Sequence, residues 1–227
     1  MSILPLSVFR LHCQATTTGK IHTSNQTDHT LVKTVMPNPI VQTGHPVLRA
    51  EARELTRDEI KSAEIRELIE IMREVMRAAP GVGLAAPQIG ESLRIAVIED
   101  EAGEKTKMSE EELNLRERYP VPFHVLINPI LTNIGDEKVD FFEGCLSVTG
   151  FAANVARYRE VNVRALNEKG EEISIDAKGW YARILQHEID HLNGILYIDR
   201  MYSTTFSTVE NKARYWDALD RAKPSPE

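Results

Sequence analysis

The chain of 227 residues predicts an α+β fold. Two observations carry that reading. Strand-like runs fall before and after helical ones without the regular βαβ alternation of a parallel sheet. Two segments also carry clear helical signals, one at Thr56–Ala79 and one around Gln186-His187-Glu188-Ile189-Asp190-His191. Mixed, mainly antiparallel sheets packed around a central helix that carries the second segment are therefore expected.

Gly44-His45-Pro46-Val47-Leu48-Arg49 reads as a turn, and ordered structure is expected from about Ile40. Thr56-Arg57-Asp58-Glu59 has the capping-box pattern, with Thr56 as N-cap and Glu59 at N3. Ile65, Leu68, Ile69, Met72, Val75, Met76 and Ala79 then recur at helical spacing, so one amphipathic helix should run until Pro80 stops it. Its methionines read as core filler. Leu93–Ile98 predicts a strand, and residues 99–118 a charged insertion forming a solvated loop or short surface helix. Phe123–Leu131 predicts a second strand, weakened at its end by Pro129. Val139–Phe142 predicts a third. Val161, Val163 and Ala165 alternate with polar residues, as do Ile173 and Ile175. Glu168-Lys169-Gly170 supplies the turn of a hairpin between them. Asn193-Gly194 should end the motif helix. Leu196–Ile198 reads as a short strand, and the charge-balanced tail from Thr205 as a short amphipathic helix through Tyr215, Trp216 and Leu219.

Composition narrows the function classes. Hydrophobic residues make up 42% and charged residues 27%, ordinary for a soluble protein. A net charge of −7 argues against a nucleic-acid-binding face. Two cysteines, Cys13 and Cys145, give no disulfide framework and fit a reducing compartment. No apolar run approaches the ~20 residues of a membrane span. Residues 1–27 hold no Asp or Glu, but carry Arg10, Lys20 and eight Ser or Thr. That start reads as an organellar transit peptide, a disordered extension or an upstream start codon.

The chemistry begins at His187 and His191. Residues four apart share a helix face, so both rings can reach one cation. Glu188 lies about 100° round the helix, beside such a cation without ligating it, where a general base must be. This is the His-Glu-x-x-His arrangement of zinc-dependent hydrolases. The other reading makes both histidines ordinary, partly buried helix residues. A catalytic site of this type takes three protein ligands and leaves one position open. Cys145, preceded by Gly144, is the candidate third ligand, since its thiol ionises near a divalent cation. Its alternative is a small buried hydrophobe. Gly81-Val82-Gly83 suggests backbone approached by a ligand. Gln88 offers a side-chain amide to a developing oxyanion.

The three segments Gly-Val-Gly-Leu-Ala-Ala-Pro-Gln (81–88), Glu-Gly-Cys-Leu-Ser (143–147) and Gln-His-Glu-Ile-Asp-His (186–191) together resemble the signature motifs of peptide deformylase, in that family's order. The resemblance covers residues 38–204. It implies a catalytic domain there, an N-terminal extension over 1–37 and a C-terminal tail over 205–227. It further implies removal of formyl from the N-formyl-methionine of nascent polypeptides, with Fe²⁺ as the native metal and Zn²⁺, Ni²⁺ or Co²⁺ as substitutes. Ligand chemistry alone would suit zinc equally. Cys145, His187 and His191 would hold the metal, and Glu188 would take a proton from water. Gln88 and the Leu146 backbone N–H would meet the oxyanion. Trp180 and Ile184, with Val82, read either as the wall of a methionine pocket or as helix-to-sheet packing. Gly83 and Gly144 complete the substrate-binding candidates. Val148-Thr149-Gly150-Phe151 and Gly179-Trp180 look like the branch found in eukaryotic organelles and some bacteria.

Departures from the family pattern matter too. Many bacterial members carry a substrate-holding arginine seven residues after the metal cysteine, where this chain has Ala152. Arg157 is nearby in sequence and could instead pair with Asp190. A basic ribosome-docking C-terminal helix is not evident, although transient proximity to the ribosome is compatible with the implied substrate. No direct nucleic-acid or membrane partner is expected. The location implied is the bacterial cytoplasm, or an organelle if residues 1–36 are a transit peptide. Two other readings compete: a metalloendopeptidase, and a peptide-binding relative without catalysis. The first usually takes its third ligand downstream, whereas Cys145 lies upstream. Intact Glu188, Gln88, Cys145, His187 and His191 oppose the second.

Overall fold

The structure is a computed structural model that describes residues 40–102 and 108–217. The expected N-terminal extension, Cys13, and Leu219 with the end of the tail lie outside the described residues. After a 3₁₀ turn at Pro46–Arg49, the chain forms helices α1 (Arg57–Ile60) and α2 (Ala63–Ala78), then strand β1 (Gly83–Ala85) and a 3₁₀ turn at Ala86–Ile89. Strand β2 (Ile95–Asp100), helix α3 (Glu110–Leu115) and strands β3 (Val121–Asn133), β4 (Lys138–Cys145), β5 (Val148–Tyr158), β6 (Glu160–Leu166) and β7 (Glu172–Lys178) follow. Helix α4 (Gly179–Leu192) carries the motif, and β8 (Ser207–Thr208) and α5 (Val209–Asn211) come last.

Two sheets form, ordered β1-β2-β3-β6-β7 and β4-β5-β8. Every named strand pairing in them is antiparallel. One parallel bridge, Arg53 to Leu93, lies outside the strands. The α+β class and its antiparallel pairing are as the sequence implies.

Thr56 caps α1 through a capping box with Glu59, as expected. The single helix is not what forms, however. Ser62 adopts an extended backbone and its hydroxyl accepts the Ile65 N–H, so it caps a second helix and splits the run in two. Ile65, Ile69, Met72 and Met76 then bury one face of α2 in a core shared with Leu84, Ile95, Val97 and Ile127. Each such side chain contributes roughly 1.5–3 kcal/mol on burial.

β3 continues past Pro129, contrary to the expected weakening. Its register against β6 shifts between Ile127 and Ile130, which takes the proline out of the ladder. Asn128 sits there at φ 51°, and its amide exchanges hydrogen bonds with the backbone of Leu55 at 2.8 and 3.0 Å. Two further corrections follow. Tyr197–Asp199 is a 3₁₀ turn and not a strand, because the Asp199 carboxylate accepts the Leu196 N–H and closes the turn locally. The tail is helical through Tyr215 and Trp216 as expected, but after a short β8 and as α5 running into a π-helical turn at Lys212–Trp216.

The described part of the 99–118 insertion forms the short helix α3, one of the two expected forms, and its ends are also tied into the domain. Asp100 and Arg118 form a buried bidentate pair at 2.8 and 2.9 Å. Its chain end also seats α4: the Arg116 carbonyl accepts the Trp180 N–H at 2.9 Å. Gly179 starts that helix at φ +60°, and a Cβ there would lie 2.8 Å from the Arg116 carbonyl oxygen. Only glycine fits both demands. At the other end, Gly194 and Ile195 donate to the carbonyls of His191 and Asp190, the C-cap expected at Asn193-Gly194.

Candidate metal centre

Three elements bring the candidate residues together. α4 presents His187, Glu188 and His191; the end of β4 presents Cys145; and the 3₁₀ turn after β1 presents Gln88. The two imidazoles lie edge to face, with centroids 4.9 Å apart. His191 Nε2 is 3.3 Å from Cys145 Sγ. One nitrogen from each ring and the sulfur all lie within 4.8 Å of one another. Two imidazole nitrogens and one thiol at that spacing suit a borderline-soft divalent ion with an open position.

The surroundings fit such an ion. Glu188 is 4% exposed, and its Oε2 finds no hydrogen-bond partner among the described residues. Burial pushes its carboxyl up to about 7, the His187 charge opposing the shift. A buried carboxylate oxygen without a partner is costly unless something in the site meets it. Gly83 makes room for this side chain. A Cβ at that position would lie 2.7 Å from Glu188 Cδ and 2.9 Å from Cγ. Gly144 is different, since a Cβ there would meet the Phe151 carbonyl at an ordinary 3.6 Å.

Gln88 is fixed at both ends of its amide. Oε1 accepts the Ala85 N–H at 2.9 Å, which turns Nε2 toward Cys145 Sγ at 3.6 Å and Ser147 Oγ at 3.4 Å. The Ser147 N–H also points at the sulfur, 3.4 Å away. The chain entering the domain ties these loops together: Val41 and Thr43 donate to the carbonyls of Gln88 and Ser147.

Behind the rings lies a charge network of which the sequence offered only the pairing of Arg157 with Asp190, and that pair forms. Glu143 Oε2 accepts His187 Nδ1–H at 2.9 Å, which leaves Nε2 for the site. The same carboxylate accepts Arg157 at 2.9 and 3.0 Å and Arg183 at 2.7 Å. Burial would raise the Glu143 pKa, but His187 and the Arg157 guanidinium hold it far below the usual carboxylate range. Arg157 also binds Asp190, so this residue spans two carboxylates inside the protein. Burial depresses His187, yet its hydrogen bonds to Cys145 and Glu143 carry the imidazole well above its ordinary value. Burial and the His187 charge push His191 well below its own. One signal did exist. An acid two residues before a candidate ligand on a strand shares that ligand's face. The partners of Glu143 had no local signal.

Val82, Trp180, Ile184 and Leu146 line a cavity of about 730 Å³ that also contains Cys145, His187, Glu188 and Gln88. Trp180 and Ile184 pack against Val82 in one apolar cluster, so helix packing and cavity wall are the same surface. Ala152 is buried on β5 opposite Gly144 and Ser207. Among the described residues, the arginines that line this cavity are Arg118 and Arg183.

Comparison with known proteins agrees with this geometry. The family model of polypeptide deformylase matches residues 37–206. Peptide deformylase 1A, chloroplastic/mitochondrial, of Arabidopsis thaliana is 51% identical over 172 residues, covering 76% of this chain and 64% of that protein. Peptide deformylase 3 of Streptomyces avermitilis is 46% identical, over 87% of this chain and 84% of that protein. The match thus spans less than two thirds of the plant relative's length. Among solved structures, the actinonin complex of a peptide deformylase from Synechococcus elongatus has a TM-score of 0.60 and 34% identity, covering 82% of this chain and 85% of that one. The Met-Ala-Ser-bound class I type b enzyme from Acinetobacter baumannii has a TM-score of 0.63 and 31% identity, covering 71% and 97%. With the three motifs folded into one site and the match running through most of its length, this chain belongs to the polypeptide deformylase family.

Proposed function

We propose that this protein removes the formyl group from the N-terminal formyl-methionine of newly synthesised polypeptides and releases formate. The convergence of Cys145, His187 and His191 beside the buried Glu188 carries the reading. A divalent ion held by those three residues would supply Lewis acidity and lower the pKa of a water molecule. Fe²⁺ is the native ion we propose, on the family likeness, with Zn²⁺, Ni²⁺ or Co²⁺ as substitutes.

The chain's own residues do the rest. Glu188 takes the proton of the water that adds to the formyl carbon. A carboxyl near pH 7 before cation binding is matched to that exchange, and a bound cation lowers it further toward the ionised form. Charge developing on the formyl oxygen is met by the Gln88 amide and the Leu146 backbone N–H, each such donor contributing typically ~3 kcal/mol. Glu188 then passes the proton to the amine nitrogen as the C–N bond breaks. Val82, Trp180 and Ile184 hold the methionine side chain, and Gly83 and Gly144 leave the backbone open to the substrate. Nascent chains are the partner, which brings the enzyme near the ribosome. We place it in a bacterial cytoplasm, or in an organelle if residues 1–36 are a leader, as the names of the Arabidopsis and human relatives would suit. Among the described residues no helix is long and apolar enough to cross a membrane.

The test is anaerobic assay of formate release from formyl-Met-Ala-Ser, with an unformylated peptide as control and metal quantified. Glu188→Ala should keep its metal and lose nearly all turnover. An active, metal-replete Glu188→Ala protein overturns the role of Glu188. Cleavage of the unformylated peptide without formate release by the wild type overturns the whole reading.

A further inference from the structure

A second cavity, of about 460 Å³, lies on the other side of α4, lined in part by Gln186, Ile189, Asp190 and Asn193. Four cations reach it, Arg94, Lys138, Arg157 and Arg200, against the single carboxylate of Asp190. Such an excess of positive charge is notable in a chain of net charge −7. Arg157 and Arg200 are compensated, since both bind Asp190. Arg94 has only the exposed Glu51, 4.0 Å away, and Lys138 pairs with no carboxylate among the described residues.

The Arg94 side chain is only 11% exposed, yet its hydrogen bonds go to neutral acceptors: the carbonyls of Leu192 and Pro129 and the side-chain oxygen of Asn193. Its nearest carboxylate is Glu51, 81% exposed and 4.0 Å away. By contrast, the buried Arg118, Arg157 and Arg183 each hold a carboxylate at 2.9 Å or closer. Buried cations normally have a close counter-charge, because desolvation is otherwise costly. The Lys138 ammonium lies 4.5 Å over the Tyr158 ring and meets no carboxylate within 4.0 Å among the described residues. Ile130 and Leu131 give the same cavity an apolar side.

We infer that this cavity binds a small organic phosphate monoester, its dianion between Arg94 and Lys138 and its body against Ile130 and Tyr158. The volume is that of a small-ligand pocket and far exceeds a bare oxyanion. Guanidinium is suited to phosphate because its planar fork can donate two hydrogen bonds to one group. The site does not depend on the proposed activity.

The experiment titrates metal-loaded full-length protein with phenyl phosphate, and separately with inorganic phosphate, following calorimetric heats and ³¹P line widths. Lys138→Gln is the main variant, because that side chain is on the surface; Arg94→Gln is the second, with its melting temperature as a folding control. Saturable binding of phenyl phosphate, weakened at least tenfold in Lys138→Gln and tighter than that of inorganic phosphate, supports the assignment. Wild-type protein that does not saturate below about 10 mM overturns it. So does binding weakened less than tenfold in Lys138→Gln, which would place the anion elsewhere, including at the metal, and so does binding no tighter than that of inorganic phosphate.

Discussion

Gly83→Ala tests most directly how the fold sets the site. The added methyl lands 2.7 Å from Glu188 Cδ, roughly 0.7 Å short of ordinary van der Waals contact. The backbone at Gly83 does not need a positive φ, so the whole penalty is steric. Glu188 is buried, so strand β1 and the carboxylate must move apart. Overpacking of this kind costs about 1–3 kcal/mol, equivalent to a melting shift of roughly 2–12 °C in a protein of this size. Displacing a catalytic group by about 1 Å costs on the order of 100-fold in rate. The expected variant therefore keeps its metal, melts a few degrees lower and loses about two orders of magnitude in kcat/KM on formyl-Met-Ala-Ser. Combining it with Glu188→Asp, which is one methylene shorter, should restore stability without restoring activity. Wild-type kcat/KM in Gly83→Ala, or strictly additive stability losses in the double variant, would refute the reasoning.

Three more outcomes follow from the electrostatics. Glu143→Gln leaves Arg157 and Arg183 without their shared charge; a loss of about 3–5 kcal/mol in denaturant unfolding and 10–100-fold weaker metal binding are expected. Because the Glu143 pKa is depressed from 4.5, its contribution is present above that pH and lost as pH falls below it, so the variant's stability deficit should shrink on acidification. Glu188 has the opposite sign. With its pKa raised from 4.5 to about 7 in the metal-free protein, ionisation opposes folding as pH rises through that window. Metal-free Glu188→Gln should accordingly melt higher relative to wild type at pH 8 than at pH 5. Finally, His187 is held protonated without metal and must be neutral to ligate, so metal uptake should release protons and tighten with pH. Calorimetry in two buffers of different ionisation enthalpy measures that release.

The elements with local signals were readable before any coordinates. The capping box at Thr56, the hairpin around Gly170 and the motif helix with its Asn193-Gly194 end depend on side chains that bond to their own neighbourhood. Of the elements read wrongly, the break at Ser62 and the turn at Tyr197–Asp199 are set by bonds only three residues long, whereas the run of β3 is set by a distant partner. Ser62 could have continued a helix; β3 passes Pro129 because Asn128 is pinned to Leu55, far away in sequence. β5 gave little sign of itself, since Gly150, Ala152, Ala153 and Ala156 have weak strand propensity and the strand is set by its pairing with β4.

The same division runs through the site. Residue type and spacing named Cys145, His187, Glu188, His191 and Gln88, because ligand chemistry requires those atoms on faces that helix and strand periodicity fix. Periodicity could not say that Glu143 would orient His187, that Arg157 would be shared by Glu143 and Asp190, or that the Gln88 amide would be turned by Ala85. Those contacts join residues on separate elements, or turn a side chain about its own bonds. The contacts of Glu143 and Arg157 exist only once β4, β5 and α4 have packed and the buried charges have no water left to satisfy them.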